Sequence, residues 1–487
     1  MQTVLSQKTV LPFKISTYWV YLESNDSFFT NAHDGSLWKD PVTSKLFERK
    51  VKKMKMKTIS TFLLLLAGQI VYSQTPQGHY EGALTRDGSV QLVSFNFYAD
   101  KTTYDIPEIG YMDVLTDKIF LSKDTLHLKI IYGDFYCFLD ARTGDLTGIS
   151  KGINPKTRIH LKQRPALEKS FSEEEIKFTN LSISLSGVLL KPKVLGKPVS
   201  YVILIQRSGW EDRNTAWYHS LGYILASKGI GVLLYDKRGC GKSTGNFSTA
   251  NFNDLADDAA SAFKYLAGRK DLSSTKIGFL GASQGGWITP LVANKVSNCG
   301  FAILIVGPAV SLYEQDINRV QYTLKDEGYT KESIDSALHY SNIFFKYIQT
   351  NDAKDWELLK IYASVIKDKK WIDYLDIPQS QNGDDVFWWR RNAYDPSETL
   401  KKIKCPVLSI FGEKDVLVPP AENKSKMETY LNQAGVKYKI VTINNCGHDM
   451  ITNEGLNGAE WIWPNVYWQW RKQPEEFVNS IFEWIKN

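Results

Sequence analysis

Ile277-Gly278-Phe279-Leu280-Gly281-Ala282-Ser283-Gln284-Gly285-Gly286 is the stretch on which the reading of this chain turns. An apolar run ends at Leu280, and a helix-like pattern begins after Ser283 and continues to Lys295. A buried strand, a tight turn and a helix are the expected succession. Glycine stands two residues before Ser283 and two residues after it. Side chains at those positions would clash in so tight a turn, and Gly281 and Gly285 avoid that. The turn lifts the Ser283 hydroxyl clear of the strand, and the following helix aims its N-terminus at it, which favours negative charge there.

Outward from this turn, strand-like apolar runs alternate with helix-like stretches. The runs are 201–205, 231–234, 276–280, 301–306, 407–411 and 439–443. The helical stretches are 214–227, 253–267, 285–295, 421–434 and 474–486. This alternation predicts βαβ units and a mostly parallel sheet flanked by helices. Continuous apolar strands are expected where both faces are covered. A hairpin is expected at 174–179 and 183–191. Residues 310–400 interrupt the rhythm with a mostly helical, Trp- and Tyr-rich insertion, too long for a plain loop and read as a cap.

A serine nucleophile needs a base, and the base needs an orienting acid. Downstream of Ser283 the histidines are His339, on a helical pattern, and His448, in a polar turn after the last apolar run. His448 is the candidate base. Asp415 follows the run 407–411 directly and is the candidate acid, with Glu413 and Asp449 as neighbours able to compete. The order Ser…Asp…His is one of the known triad orders. Two backbone amides are expected to meet the developing oxyanion: Gln284, next after the nucleophile, and Ser208, in the loop after 201–205. Asp236, Arg238, Gly239 and Gly241 form a further loop motif after 231–234, in which Asp236 and Arg238 are expected to pair as a brace. The alternative use of Arg238 is to bind an anionic substrate.

These motifs together resemble the α/β-hydrolase superfamily, in particular its serine aminopeptidase and prolyl-oligopeptidase-like esterase groups. The resemblance rests on the Asp236–Ser243 loop, the elbow at 281–286, the acid turn at 411–415 and the histidine turn at 445–449, and it covers about 178–487. It implies an α/β-hydrolase fold and hydrolysis of an ester, thioester or amide through an acyl-enzyme, with no cofactor and no metal. The family pattern usually has glycine where this chain has Arg207. The leading expectation is a carboxylic-ester hydrolase acting on a small-molecule ester. A serine exopeptidase for short peptides is the second, and would need a cap carboxylate, with Glu314, Asp316, Glu327, Asp384 and Asp385 available. A non-catalytic binding protein on the same scaffold is the third.

The rest of the chain narrows the setting. Of 487 residues, 43% are hydrophobic, ample for a large core. Residues 1–73 hold 10 Lys+Arg against 5 Asp+Glu, and the remainder is near neutral at 49 against 48. No basic stripe for nucleic acid exists. Residues 54–73 have the lysine-rich start, short apolar centre and small final residues of a secretory signal peptide, too short to span a bilayer well. Residues 1–53 are then expected to be upstream sequence preceding the true start, the alternative being an N-terminal extension with an internal anchor, and an exported, periplasmic or extracellular location is expected. Alternating short runs over 74–168 predict a small all-β domain. Residues 158–171, charged and containing Pro165, read as the linker to a hydrolase domain at 169–487. The five scattered cysteines support neither a zinc cluster nor a disulfide framework, though Cys240 and Cys446 both sit near the motifs and could pair.

Overall fold

A computed structural model describes residues 10–15, 18–23 and 76–487, apart from 87–88, 123–124, 153–155, 194–198, 273 and 453–471. The signal-like pattern at 54–73 lies outside the described residues. Residues 1–74 and 75–487 are separate compact units. In the first, Val10–Ile15 pairs antiparallel with Tyr18–Glu23.

The centre of the second unit is an eight-stranded sheet. Its spatial order is Phe171–Asn180, Ile183–Pro192, Gly231–Tyr235, Val199–Ile205, Ser274–Ala282, Ala302–Ile305, Val407–Gly412 and Tyr438–Ile443. The first two strands form the expected antiparallel hairpin, and the six from Gly231–Tyr235 onward run parallel. The apolar runs are continuous because alternate side chains enter different cores. Val202 and Leu204 join one buried cluster, Ile203 and Ile205 the other. Helices Ala216–Ser227, Phe252–Ala267, Gln284–Lys295, Pro420–Ala434 and Glu475–Lys486 accompany the sheet. Phe252–Ala267 begins with a capping box, in which Asn251 and Asp254 satisfy each other's backbone amides.

The insertion between Ala302–Ile305 and Val407–Gly412 folds mainly as helices, the longest being Leu312–Asp326, Lys331–Thr350 and Ala353–Ile366. Its rings pack together: Phe345 and Phe344 both meet Trp389, and Tyr313 stacks on Phe345. The Trp and Tyr richness of this stretch is in large part the insertion's own core.

Before the main sheet, a nine-stranded antiparallel sheet spans Gly78 to Arg164. Its edge strands, Tyr111–Leu115 and Asp117–Ser122, are joined by Thr116 alone. The end of one edge strand therefore adjoins the start of the other, and the sheet rolls around its apolar face. Leu84, Phe95, Ile106, Leu128, Phe135 and Leu161 fill the inside. This corrects the linker expectation. Arg158–Arg164 is a strand inserted between Gly78–Arg86 and Leu146–Ser150. Its charges alternate with Ile159 and Leu161, which are buried, so period-two burial outweighs the local charge. Met112 and Ser220 join this sheet to helix Ala216–Ser227 through a backbone-to-hydroxyl hydrogen bond.

All five cysteines are free, so Cys240 and Cys446 do not pair. No helix among the described residues is long and apolar enough to cross a membrane.

Candidate active site

Strand Ser274–Ala282 hands the chain to helix Gln284–Lys295 through a single residue, Ser283. That residue sits at φ 53° and ψ −119°, which an L-residue adopts only under strain. The surroundings hold it there. The Ser283 amide donates to the Ile305 carbonyl at 2.9 Å, and the Gly286 amide donates to the Ser283 carbonyl at 2.7 Å. A Cβ at Gly281 would come within 2.2 Å of the Gly285 carbonyl oxygen, and one at Gly285 within 2.6 Å of the Ile205 carbonyl oxygen. Both glycines are therefore required by close backbone approach, as the motif suggested.

Asp415 lies just past strand Val407–Gly412, with its side chain fully buried. Its Oδ1 accepts the amides of Leu417 at 2.8 Å and Val418 at 2.9 Å. Its Oδ2 lies 2.9 Å from Nδ1 of His448, which comes from the loop after Tyr438–Ile443. The competing acids are committed elsewhere. Glu413 accepts the Asn445 amide at 2.9 Å, and Asp449 accepts a guanidinium N–H of Arg207 at 3.3 Å. Ser283, Gln284, Ser208 and His448 all line one pocket of about 400 Å³.

Arg207 occupies the position where glycine was expected, and its contacts explain how a bulky residue is tolerated. Its amide donates to Glu211 Oε2 at 2.7 Å and its Nε to Glu211 Oε1 at 3.0 Å. The guanidinium lies 5.4 Å from the centre of the Trp217 ring. With the bond to Asp449, Arg207 ties the loop after Val199–Ile205 to the loop that carries His448. Glu211 is buried, so Arg207 and Glu211 form one unit that sequence pattern alone did not reveal.

The expected brace between Asp236 and Arg238 does not form. Asp236 Oδ1 accepts the amide and Nε of Arg213, and Oδ2 accepts the other arm of the guanidinium at 3.0 Å. Arg238 instead grips Asp258 of helix Phe252–Ala267 with two bonds of 2.7 and 2.8 Å. The chain leaves its strand at Asp236 and enters a turn closed by the Cys240 amide on the Lys237 carbonyl, so residues two apart no longer share a face. Arg238 is absent from the pocket lining and committed to Asp258, which also removes it as an anion-binding residue. Gly239 and Gly241 both have positive φ, and a Cβ at Gly241 would press on the Asp236 carboxyl carbon at 2.6 Å. The Arg213–Asp236 pair is almost wholly buried, at 6% and 1% side-chain exposure. Arg213→Met is expected to lower unfolding free energy by roughly 3–5 kcal/mol in a denaturant titration, because it strands a buried carboxylate.

The insertion contributes Gln315, Asp316 and Arg319 to the lining of the pocket. Arg319 Nε donates to Asp316 at 2.7 Å, and burial raises the Asp316 carboxyl above its ordinary range despite that arginine. Of the cap carboxylates named from sequence, Asp316 is the one that lines the pocket. Arg319 went unnoticed in the sequence because its place there depends on how the insertion folds back.

Fold and pocket together define a serine hydrolase of the α/β-hydrolase type. The model of the X-Pro dipeptidyl-peptidase (S15) family matches residues 183–448, more than half of the chain, and the chain belongs to that family. Among curated proteins, Esterase EstD of Thermotoga maritima is 26% identical over 349 residues, covering 71% of this chain and 74% of that protein. Two similar solved structures are the Pyrococcus furiosus esterase Pf2001, at 16% identity and TM-score 0.41, and Est1E of Butyrivibrio proteoclasticus with bound ferulic acid, at 16% and 0.39. They cover 65% and 64% of this chain, and 91% and 96% of their own.

Proposed function

We propose that the protein cleaves a carboxylic ester through an acyl-enzyme formed on Ser283. The carrying observation is the His448–Asp415 contact at 2.9 Å beside the same pocket that receives the strained Ser283 turn. His448 takes the hydroxyl proton as Ser283 attacks the acyl carbon, then returns it to the leaving alkoxide. Water repeats the cycle on the acyl-enzyme. Asp415 holds the His448 tautomer with Nδ1 protonated and Nε2 free to accept. The oxyanion meets the Gln284 amide, one of the first helical amides left without an intrahelical acceptor, and the Ser208 amide. The helical insertion acts as the cap, with Gln315, Asp316 and Arg319 facing the substrate.

A second reading has specific support. Asp316 in the pocket wall is a carboxylate of the kind an exopeptidase uses to hold a substrate amine, and the family's description is a peptidase. Nitrophenyl esters of increasing acyl length, run beside aminoacyl and Xaa-Pro nitroanilides, separate the two. Ester turnover well above anilide turnover is the expected result. Efficient anilide turnover that falls in Asp316→Asn would replace the esterase reading with the peptidase one.

A further inference from the structure

Lys237 takes no part in the mechanism above, yet its side chain is one of the most buried cationic groups in the chain, at 3% exposure. No carboxylate lies within ion-pair distance of it among the described residues. An ammonium in such a place is costly to hold, and burial pulls it down to about 8. What it does contact is specific. Its Nζ donates to the Arg207 carbonyl at 2.5 Å and to the Gly209 carbonyl at 2.7 Å. These two carbonyls flank Ser208, whose amide the mechanism needs.

We propose that Lys237 is a positioning residue that turns the Ser208 amide toward the oxyanion, a role that rests on Ser283 being the nucleophile. The argument is one of peptide geometry. In a planar trans peptide the C=O and N–H point in opposite directions. The Arg207 carbonyl and the Ser208 amide belong to one peptide unit. Holding that carbonyl on the Lys237 side sends the Ser208 N–H the other way, and Ser208 lines the pocket with Ser283 and Gln284. The neighbouring amide is not available for the same task, since Arg207 N–H is taken by Glu211. Gly209, at φ 77°, reverses the loop so that its own carbonyl returns to the same ammonium. The charge adds a second effect. A cation on the carbonyl oxygen polarises the peptide unit and strengthens its N–H as a donor.

The test compares wild type with Lys237→Met and Lys237→Arg on the best ester substrate, and on an arylboronic acid, which forms a tetrahedral adduct with an active-site serine. Lys237→Met is expected to lose roughly 10²–10³ in kcat, with KM changed by less than about threefold, and to weaken the boronic acid by a similar factor. Lys237→Arg keeps two donors and falls between. If the Met variant does not fold, the Arg variant carries the same comparison, with lowered kcat at unchanged KM as the supporting outcome. Wild-type kcat in Lys237→Met, or a raised KM with kcat unchanged, overturns the proposal. Failure of both variants to fold also overturns it, since Lys237 would then be a plain structural residue. A wild-type enzyme that neither turns over ester nor binds the boronic acid would defeat the hydrolase mechanism itself, which is a different result.

Discussion

Ser283→Ala is expected to lose on the order of 10⁶ in kcat on the best ester substrate while keeping its fold. In the proposed mechanism the hydroxyl is the atom that becomes acylated, so no neighbouring group replaces it, and what remains is the rate due to binding and the oxyanion amides alone. Folding is unaffected because the contacts that hold the turn are made by backbone. The Ser283 amide bonds to Ile305 and the Ser283 carbonyl receives Gly286, and alanine keeps both. A steady-state assay beside a thermal melt checks the two halves of this expectation. Retention of most activity would remove Ser283 as nucleophile.

Asp415→Asn has the second largest expected effect, about 10⁴ in kcat. The reason lies in how the carboxylate is held. Oδ1 already receives two backbone amides, from Leu417 and Val418, so the oxygen of an asparagine side chain is drawn to that place. Its NH₂ group then faces His448 Nδ1, where Oδ2 had been. A donor against Nδ1 stabilises the tautomer with the proton on Nε2, and that nitrogen can no longer take the proton of Ser283. The loss should fall on kcat rather than KM, because Asp415 is buried and does not line the pocket. A kcat within tenfold of wild type would show that another group orients His448.

The parallel sheet was legible because its strands are continuous apolar runs, and a run such as 201–205 has few other places to go in a folded chain. The hairpin at Phe171–Asn180 and Ile183–Pro192 and the helix after Ser283 followed from equally local patterns. Arg158–Arg164 was misread for an equally physical reason. Its buried residues are only Ile159 and Leu161, and their value appears only when strands 78–86 and 146–150 lie on either side. Local charge then says linker, while the rolled sheet says strand.

Side-chain partners divide along the same line. Gly281, Gly285 and the contact of Asp415 with His448 were readable because each follows from backbone geometry at the end of a strand. The partners of Asp236 and Arg238 were not, since a turn after the strand sends the two side chains to different neighbours, Arg213 and Asp258, that are distant in sequence. The sequence by itself determined the strand–turn–helix carrying Ser283, the parallel order around it and the strand-end loops that carry Asp415 and His448, because short-range sterics and hydrophobic periodicity act along the chain. Only the tertiary structure decided what Arg207 and Lys237 hold, and that Asp316 and Arg319 line the pocket. Those are contacts between segments, and their energies depend on packing that no local pattern records.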